Sequence, residues 1–185
     1  MPPPEPDAAQ LPKRHEVVNA IAAQLHPDRI GTGPLAMLRR FDPNGSLAEP
    51  ALQRMLWQHV PEPWLDGDGM RRWALVIHAM AFAAPDLHLG RGDEARLGRA
   101  LFAAGFSEFR LSRLLDARAE DLSDALPRVI RFLVAKRQAF DSVALAHFVF
   151  GVAAGEGSAE KQRERIARDY YRAERAANPD AAKAA

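Results

Sequence analysis

The chain has no cysteine among its 185 residues. Disulfide bonds, thiolate nucleophiles and zinc sites built on sulfur are therefore excluded. The sequence also lacks an apolar run of the ~18 residues that a membrane-spanning helix requires. Its start, MPPPEP, has neither the basic nor the apolar segment of a signal peptide. These absences predict a soluble, cytoplasmic protein that does not contact a membrane.

Recognisable catalytic motifs are missing as well. No two of the six histidines are spaced four residues apart, as a zinc-binding helix would need. The segment Gly31-Thr32-Gly33 has neither the preceding strand nor the following lysine of a phosphate-binding loop. His78 and His147 lie in apolar stretches, which favours core histidines over ligands. We therefore predict a protein that is not an enzyme and has no cofactor or metal.

The charges are almost balanced, with 25 basic and 24 acidic residues and a net charge of +1. A strongly basic surface is therefore excluded, and any site for a polyanion must come from uneven placement of charge. Arginine supplies nearly all of the positive charge. Its guanidinium suits bidentate contact with phosphates, although a GC-rich genome explains the same bias.

Almost every segment has helical periodicity, and strand signals are nearly absent. The sequence predicts an all-α fold of about eight to nine helices packed as two small lobes. The predicted division places a disordered tail at 1–12, an N-terminal lobe at 13–90, a C-terminal lobe at 91–177 and a second disordered tail at 178–185.

Three helices are specified in more detail. Residues 70–83 are strongly apolar and predict the most buried helix of the first half. An apolar stripe at 122, 126, 129, 130 and 133 predicts one buried face of a later helix. Asp93 and Asp141 are suited to cap the helices that follow them, and Gly105 is suited to end one.

Arginine pairs recur beside these leucine-rich patterns. Arg39 and Arg40 follow an apolar face, so at least one of them must point away from the core. Arg110 and Arg113 lie three residues apart on one side of a helix, and Arg128 and Arg131 repeat that spacing on the next helix. Lys136 and Arg137 follow at its C-terminal end. Between residues 110 and 140 the local charge is +3.

The last helix carries a further basic stripe at residues 165, 168, 172 and 175. Glu164 is placed to pair with Arg168, which weakens a functional interpretation there. Exposed aromatic side chains for base stacking are not evident from the sequence. Of the two tyrosines, Tyr170 and Tyr171, one is expected to pack inward.

Four segments in this order resemble the CasB family, the small subunit of the type I-E CRISPR surveillance complex Cascade. The resemblance runs from about residue 30 to residue 171 and rests on GPLAMLRR (33–40), LGRALFAAG (97–105), SEFRLSRLL (107–115) and ARDYY (167–171). It implies an all-α fold of two helical lobes without catalytic activity. The proline-rich start has no counterpart in that pattern.

The resemblance also implies a function and partners. The family stacks two copies head to tail beside the guide-RNA-binding backbone subunits and the large subunit. Its basic residues hold the displaced, single-stranded non-target DNA and stabilise the R-loop, while a recruited nuclease-helicase cleaves.

The family's functional positions fall on basic residues of this chain. Carried over by position, they include Arg40, Arg110 and Arg131, with Arg71 as a further match and a basic group opening the last helix. Taken with the neighbouring basic residues, the predicted nucleic-acid-binding set is Arg39, Arg40, Arg71, Arg110, Arg113, Arg131, Lys136, Arg137, Lys161, Arg163 and Arg165.

Two other interpretations remain open at this stage. The chain is alternatively a helical protein–protein adaptor with no nucleic-acid role, whose arginines pair with acidic partners. An enzyme whose site the sequence does not reveal is the third and weakest interpretation, because cysteines are missing and the histidines are unpaired.

Overall fold

The computed structural model describes residues 11–179, so residues 1–10 and 180–185 of the two predicted tails lie outside it. Within 11–179 there are ten α-helices, two short 3-10 turns and no strand, which confirms the all-α prediction. In chain order the α-helices are α1 Arg14–Gln24, α2 Pro27–Ile30, α3 Thr32–Arg40, α4 Pro50–His59, α5 Gly69–Ala83, α6 Leu97–Ala103, α7 Glu108–Leu115, α8 Leu122–Ala135, α9 Ser142–Ala153 and α10 Glu156–Ala177.

Local sequence signals account for several of these helices. The five residues of the predicted apolar stripe on α8 are all buried. The Asp141 side chain accepts hydrogen bonds from the backbone N–H groups of Val143 (2.8 Å) and Ala144 (3.3 Å), and so caps α9 as predicted. Gly105 follows α6 with φ of 76°, a left-handed conformation that glycine adopts without strain.

The predicted cap at Asp93 is wrong. Its carboxylate is bound by Arg96 (3.1 Å) and Arg99 (2.5 Å), so it is not available to a helix N-terminus. Residues Asp93–Ala95 form a 3-10 turn instead, and α6 begins at Leu97. The short helix α2, which begins at Pro27, was not predicted either.

Helix α5 lies at the centre of the molecule. It packs against α3, α4, α8 and α9, and eleven of its fifteen residues are buried. Trp73 is fully buried between Trp64 and Phe150, with ring centroids 6.1 Å and 4.9 Å away. The buried side chains of both halves of the chain form one cluster, and the division near residue 90 stays a prediction.

Helices α6 and α10 make the most extensive helix pair. They touch at Gly98, where an added Cβ would collide with the Ile166 carbonyl and the Tyr170 backbone nitrogen. Tyr170 is buried, and its hydroxyl donates a hydrogen bond to the Phe106 carbonyl at 2.5 Å. The LGRALFAAG and ARDYY segments therefore hold two helices together.

Candidate nucleic-acid interface

The adjacent residues Arg39 and Arg40 have different surroundings. Arg39 is half-buried and donates hydrogen bonds from Nε to the Ala81 carbonyl and from Nη2 to the Ala84 carbonyl, both at 2.8 Å. These carbonyls lie at the C-terminal end of α5, where a cation is favoured. Arg40 is exposed, and its side chain forms no hydrogen bond or ion pair with another residue in 11–179. One arginine of the pair thus points outward, as predicted.

A buried histidine fixes the end of α3, which carries Arg40. The His78 Nδ1–H donates to the Leu38 carbonyl at 2.9 Å. Its ring meets Phe41 edge to face at 5.1 Å and lies 6.1 Å from Phe82. Burial lowers the pKa of His78, so the ring is neutral at pH 7. The backbone before Arg40 is therefore anchored to α5.

Two further arginines are stacked on aromatic rings. The guanidinium of Arg131 lies 5.3 Å from the Phe82 ring centroid, and that of Arg110 lies 5.4 Å from the Phe132 centroid. Both arginines are exposed. Cation–π contacts of this kind reduce the freedom of a long side chain while its charge stays in solvent.

These contacts connect four helices in one order. Arg110 on α7 stacks on α8, Arg131 on α8 stacks on α5, and α5 holds the end of α3 that presents Arg40. We call Arg110, Arg131 and Arg40 the arginine ribbon. The family resemblance of the sequence points to the same three residues, and the tertiary structure adds the aromatic rings on which two of them stack.

A cleft of about 660 Å³ between α7 and α8 adjoins the ribbon and adds Arg113 and Arg128. It also contains three aspartates, which neutralise part of this charge. Each aspartate accepts a hydrogen bond from another residue of the chain: Asp116 from Ser112, Asp121 from the Arg118 backbone and Asp124 from Asn44. None of the described residues forms an ion pair with Arg113 or Arg128, so both remain available to a ligand.

Lys136 and Arg137 end α8 and are exposed. Arg137 has a φ of 54°, the left-handed conformation that often closes a helix. Both cations lie where the partial negative charge of the helix end stabilises them. No acidic side chain in 11–179 forms an ion pair with either.

Arg71 has a different environment. Its Nη1 lies 3.3–3.4 Å from the carbonyl oxygens of Pro43, Asn44 and Gly45. This guanidinium therefore holds the turn that follows α3, although part of it remains exposed.

The basic residues at the start of α10 also differ in their surroundings. Lys161 is exposed, whereas Arg163 binds Glu156 at 2.5 Å and lies 3.6 Å from Glu160. The hydrogen bond to Glu156 raises the pKa of Arg163. The pair for which Glu164 and Arg168 are spaced does not form; the ion pairs on α10 instead join Arg163 to Glu156 and Glu160.

Arg165 lies near residues that the sequence did not connect with it. Burial, followed by the charges of Arg165 and Arg14, lowers the pKa of His147. Arg14 itself stacks on Phe150 with 4.3 Å between guanidinium and ring centroid. Helices α1, α9 and α10 pack together and thus form a second basic region. No local signal connects Arg14 with Arg165, because the two residues are 151 positions apart.

The expectation about aromatic side chains needs correction. Phe109 is 73% exposed, Trp57 is 55% exposed and Tyr171 is 46% exposed, whereas Tyr170 packs inward as predicted. Phe109 lies one residue before Arg110. The orientation of α7, which buries Leu111 and Leu114, places Phe109 in solvent.

Residues 11–179 contain neither a cluster of metal ligands nor a helix that could span a membrane. No group of three or more histidine, aspartate or glutamate side chains there is arranged to hold a metal ion. His78 and His88 are buried, each against a backbone carbonyl. No helix in this range combines the length and apolar character needed to cross a bilayer.

Comparison with known proteins gives two matches. The family model of the CRISPR-associated protein Cse2 matches residues 34–171. The crystal structure of M. ruber CasB superposes with a TM-score of 0.59 at 20% sequence identity, covering 84% of this chain and 93% of that chain. At this identity the second match shows a shared fold. No curated protein sequence matches the chain.

Proposed function

The chain belongs to the CRISPR-associated Cse2 family, whose members are Cascade subunits, and we propose that it holds the displaced non-target DNA strand and stabilises the R-loop. In this role the chain is a non-catalytic cytoplasmic component, and its ligand is the single-stranded DNA backbone. The arginine ribbon provides the contact.

One observation carries this proposal. The three ribbon arginines are exposed, and none of them forms an ion pair with another described residue. Aromatic rings support two of them. Other arginines form ion pairs with acidic residues of the chain itself, for example Arg96 and Arg99. A row of unneutralised, oriented guanidiniums is suited to phosphates and indifferent to base sequence.

The energetics of R-loop formation fit a surface of this size. The RNA–DNA heteroduplex is about as stable as the DNA duplex it replaces, so a small additional free energy shifts the balance. A few phosphate contacts are enough to supply it. The low net charge of the chain limits binding to other nucleic acids.

The predicted residues divide into three groups under this proposal. Arg40, Arg110, Arg113, Arg131, Lys136 and Arg137 contact the strand. Arg39 and Arg71 position the backbone at the end of α3, through their bonds to carbonyl oxygens. Lys161 and Arg165 belong to the second basic region, and Arg163 is largely neutralised by Glu156.

The proposal is tested with Arg110→Glu combined with Arg131→Glu in the assembled complex. We expect stable R-loops to decrease by at least tenfold, because two attractive phosphate contacts become repulsive. R-loop formation is measured by permanganate footprinting of the displaced strand. Circular dichroism and urea unfolding report whether the isolated variant still folds.

The matched control is Arg29→Glu combined with Arg91→Glu, which changes the net charge equally on exposed residues of α2 and of the loop before residue 93. This variant should form R-loops like the unmodified protein. If the ribbon variant assembles and forms R-loops at full strength, the surface does not hold the strand, and the adaptor interpretation replaces it.

The rest of the surface is proposed to contact other Cascade subunits, including the guide-RNA-binding backbone, the large subunit and a second copy of this chain. Support comes from apolar side chains exposed on neighbouring helices, Met37 on α3 (45%) and Trp57 on α4 (55%). Exposed apolar side chains that cluster are typical of protein interfaces.

A further inference from the structure

We infer that Phe109 is a base-stacking residue for the displaced DNA strand. This inference rests on the proposed function and assigns that surface a second kind of contact. The ribbon arginines neutralise phosphates, whereas the Phe109 ring would hold one unpaired base and so limit the sliding of the strand.

The first observation is the exposure of the ring. Phe109 is 73% exposed, more than any other large hydrophobic side chain in 11–179. It lies in the first turn of α7, whose buried face is formed by Leu111 and Leu114. The side chain therefore contributes little to the core that holds α7.

The second observation is what surrounds the ring. Phe109 and Arg113 are four residues apart, so they lie on the same face of α7. Arg110 follows Phe109 directly, and its guanidinium is held on the Phe132 ring. Exposed rings alternating with unpaired cations are the combination by which sequence-tolerant proteins bind single strands, because every base has a π-face.

A second exposed ring lies nearby. Tyr171 is 46% exposed, and its ring centroid is 5.4 Å from that of Tyr170. Helix α10, which carries Tyr171, contacts α7, and burial followed by the charge of Glu108 at the start of α7 raises the pKa of Tyr171. Tyr171 is therefore a second exposed ring on a helix that contacts α7.

The surroundings favour a nucleic acid over a protein partner at this place. The sequence neighbours and same-face neighbour of Phe109 are Glu108, Arg110 and Arg113, all charged and exposed. A protein interface depletes charged residues at its core. By contrast, Trp57 and Met37 lie on two helices that pack together, an arrangement more typical of docking.

The test uses the assembled complex and a target whose non-target strand carries single 2-aminopurine bases at successive positions. Stacking quenches 2-aminopurine fluorescence. We expect a quenched position that becomes bright in Phe109→Ala and in Phe109→Leu, and stays quenched in Phe109→Tyr. Affinity for single-stranded DNA should fall by about tenfold in the first two variants and remain near the original value in the third.

An abasic strand provides the matched ligand control. Without bases, the unmodified protein should bind no better than Phe109→Ala, while Arg110→Glu with Arg131→Glu should still weaken binding. Leu89→Ala, an exposed apolar side chain outside α7 and α8 (44% exposed), should leave both the fluorescence pattern and the affinity unchanged.

The outcomes separate this inference from the proposed function. If the arginine variant loses DNA while Phe109→Ala keeps both its affinity and its quenched position, base stacking is refuted and the strand-holding function stands. If neither variant changes binding, both fail. Reduced incorporation of Phe109→Ala into the complex would make Phe109 a protein contact and overturn the inference.

Discussion

Two adjacent arginines, Arg39 and Arg40, show how neighbouring residues of one type take separate roles. Arg39 binds two carbonyl oxygens at the end of α5, and Arg40 faces solvent. The helical pattern predicts that one of them points outward. Which one does so depends on where α5 ends, and that is decided by packing between helices.

Replacing each arginine by alanine should therefore give opposite results. Arg39→Ala removes two charge-assisted hydrogen bonds and should lower the free energy of unfolding by roughly 2 kcal/mol. Arg40→Ala should leave the free energy of unfolding unchanged and weaken single-strand binding by a few fold. Urea unfolding and fluorescence anisotropy measure the two effects. Equal loss of stability in both variants would contradict the assignment.

At the scale of elements, the contact between α6 and α10 depends on a glycine. Gly98→Ala places a methyl group against the Ile166 carbonyl and the Tyr170 backbone. Because backbone atoms cannot move aside as a flexible side chain would, the helices must separate. We expect a loss of about 1–3 kcal/mol in thermal or urea unfolding.

Gly157 is the matched control for this substitution. It lies in the first turn of α10 with no atom within 4 Å of an added Cβ. Gly157→Ala should leave stability unchanged or raise it by up to about 1 kcal/mol. A similar loss in both variants would show that helix crossing at Gly98 is not the cause.

The joint of α3, α5 and α8 contains His78 and should make stability depend on pH. Burial holds the pKa of the folded His78 below the ordinary 6.5, so the unfolded chain binds this proton more tightly. The contribution of the neutral, buried His78 to the free energy of unfolding is complete above pH 6.5 and is lost as the pH falls below that value.

Urea unfolding between pH 5 and pH 8 measures this dependence. The free energy of unfolding should decline below about pH 6.5, and His78→Gln should make the decline shallower. Buried His88, whose pKa is lowered in the same way, accounts for part of the remainder. An identical decline in the unmodified protein and in His78→Gln would show that His78 does not cause the pH dependence.

For the whole molecule, the distribution of charge matters more than its sum. A net charge of +1 predicts weak attraction for DNA, yet none of the ribbon arginines forms an ion pair within 11–179. Binding of single-stranded DNA should therefore weaken with salt, with a slope of about 0.7 in log K per log salt for each phosphate contacted.

Alanine at Arg40, Arg110 and Arg131 should lower that slope by about 2. The measurement is anisotropy of a labelled oligothymidine at several salt concentrations. Alanine at Arg29, Arg54 and Arg175, three other exposed arginines, should leave the slope unchanged. Equal slopes for both triple variants would indicate general attraction rather than the ribbon.

The sequence predicted the larger features of the fold because they depend on local patterns. Apolar periodicity identified α5 and α8, and Asp141 identified the start of α9. The errors occurred where a charged side chain has more than one possible partner nearby in the chain: Asp93 is bound by Arg96 and Arg99 and does not cap α6. Likewise Glu164 leaves Arg168 unpaired while Glu156 binds Arg163.

By itself the sequence determined that this protein is helical, nearly neutral and free of thiol chemistry, and it ordered the arginines along the chain. The tertiary structure alone decided which arginines remain available. Arg39 is hydrogen-bonded to carbonyl oxygens at the end of α5, whereas Arg131 and Arg110 are supported on Phe82 and Phe132. The physical reason is that the sequence fixes a side chain's charge and its face on a helix, while its partners come from residues distant in the chain.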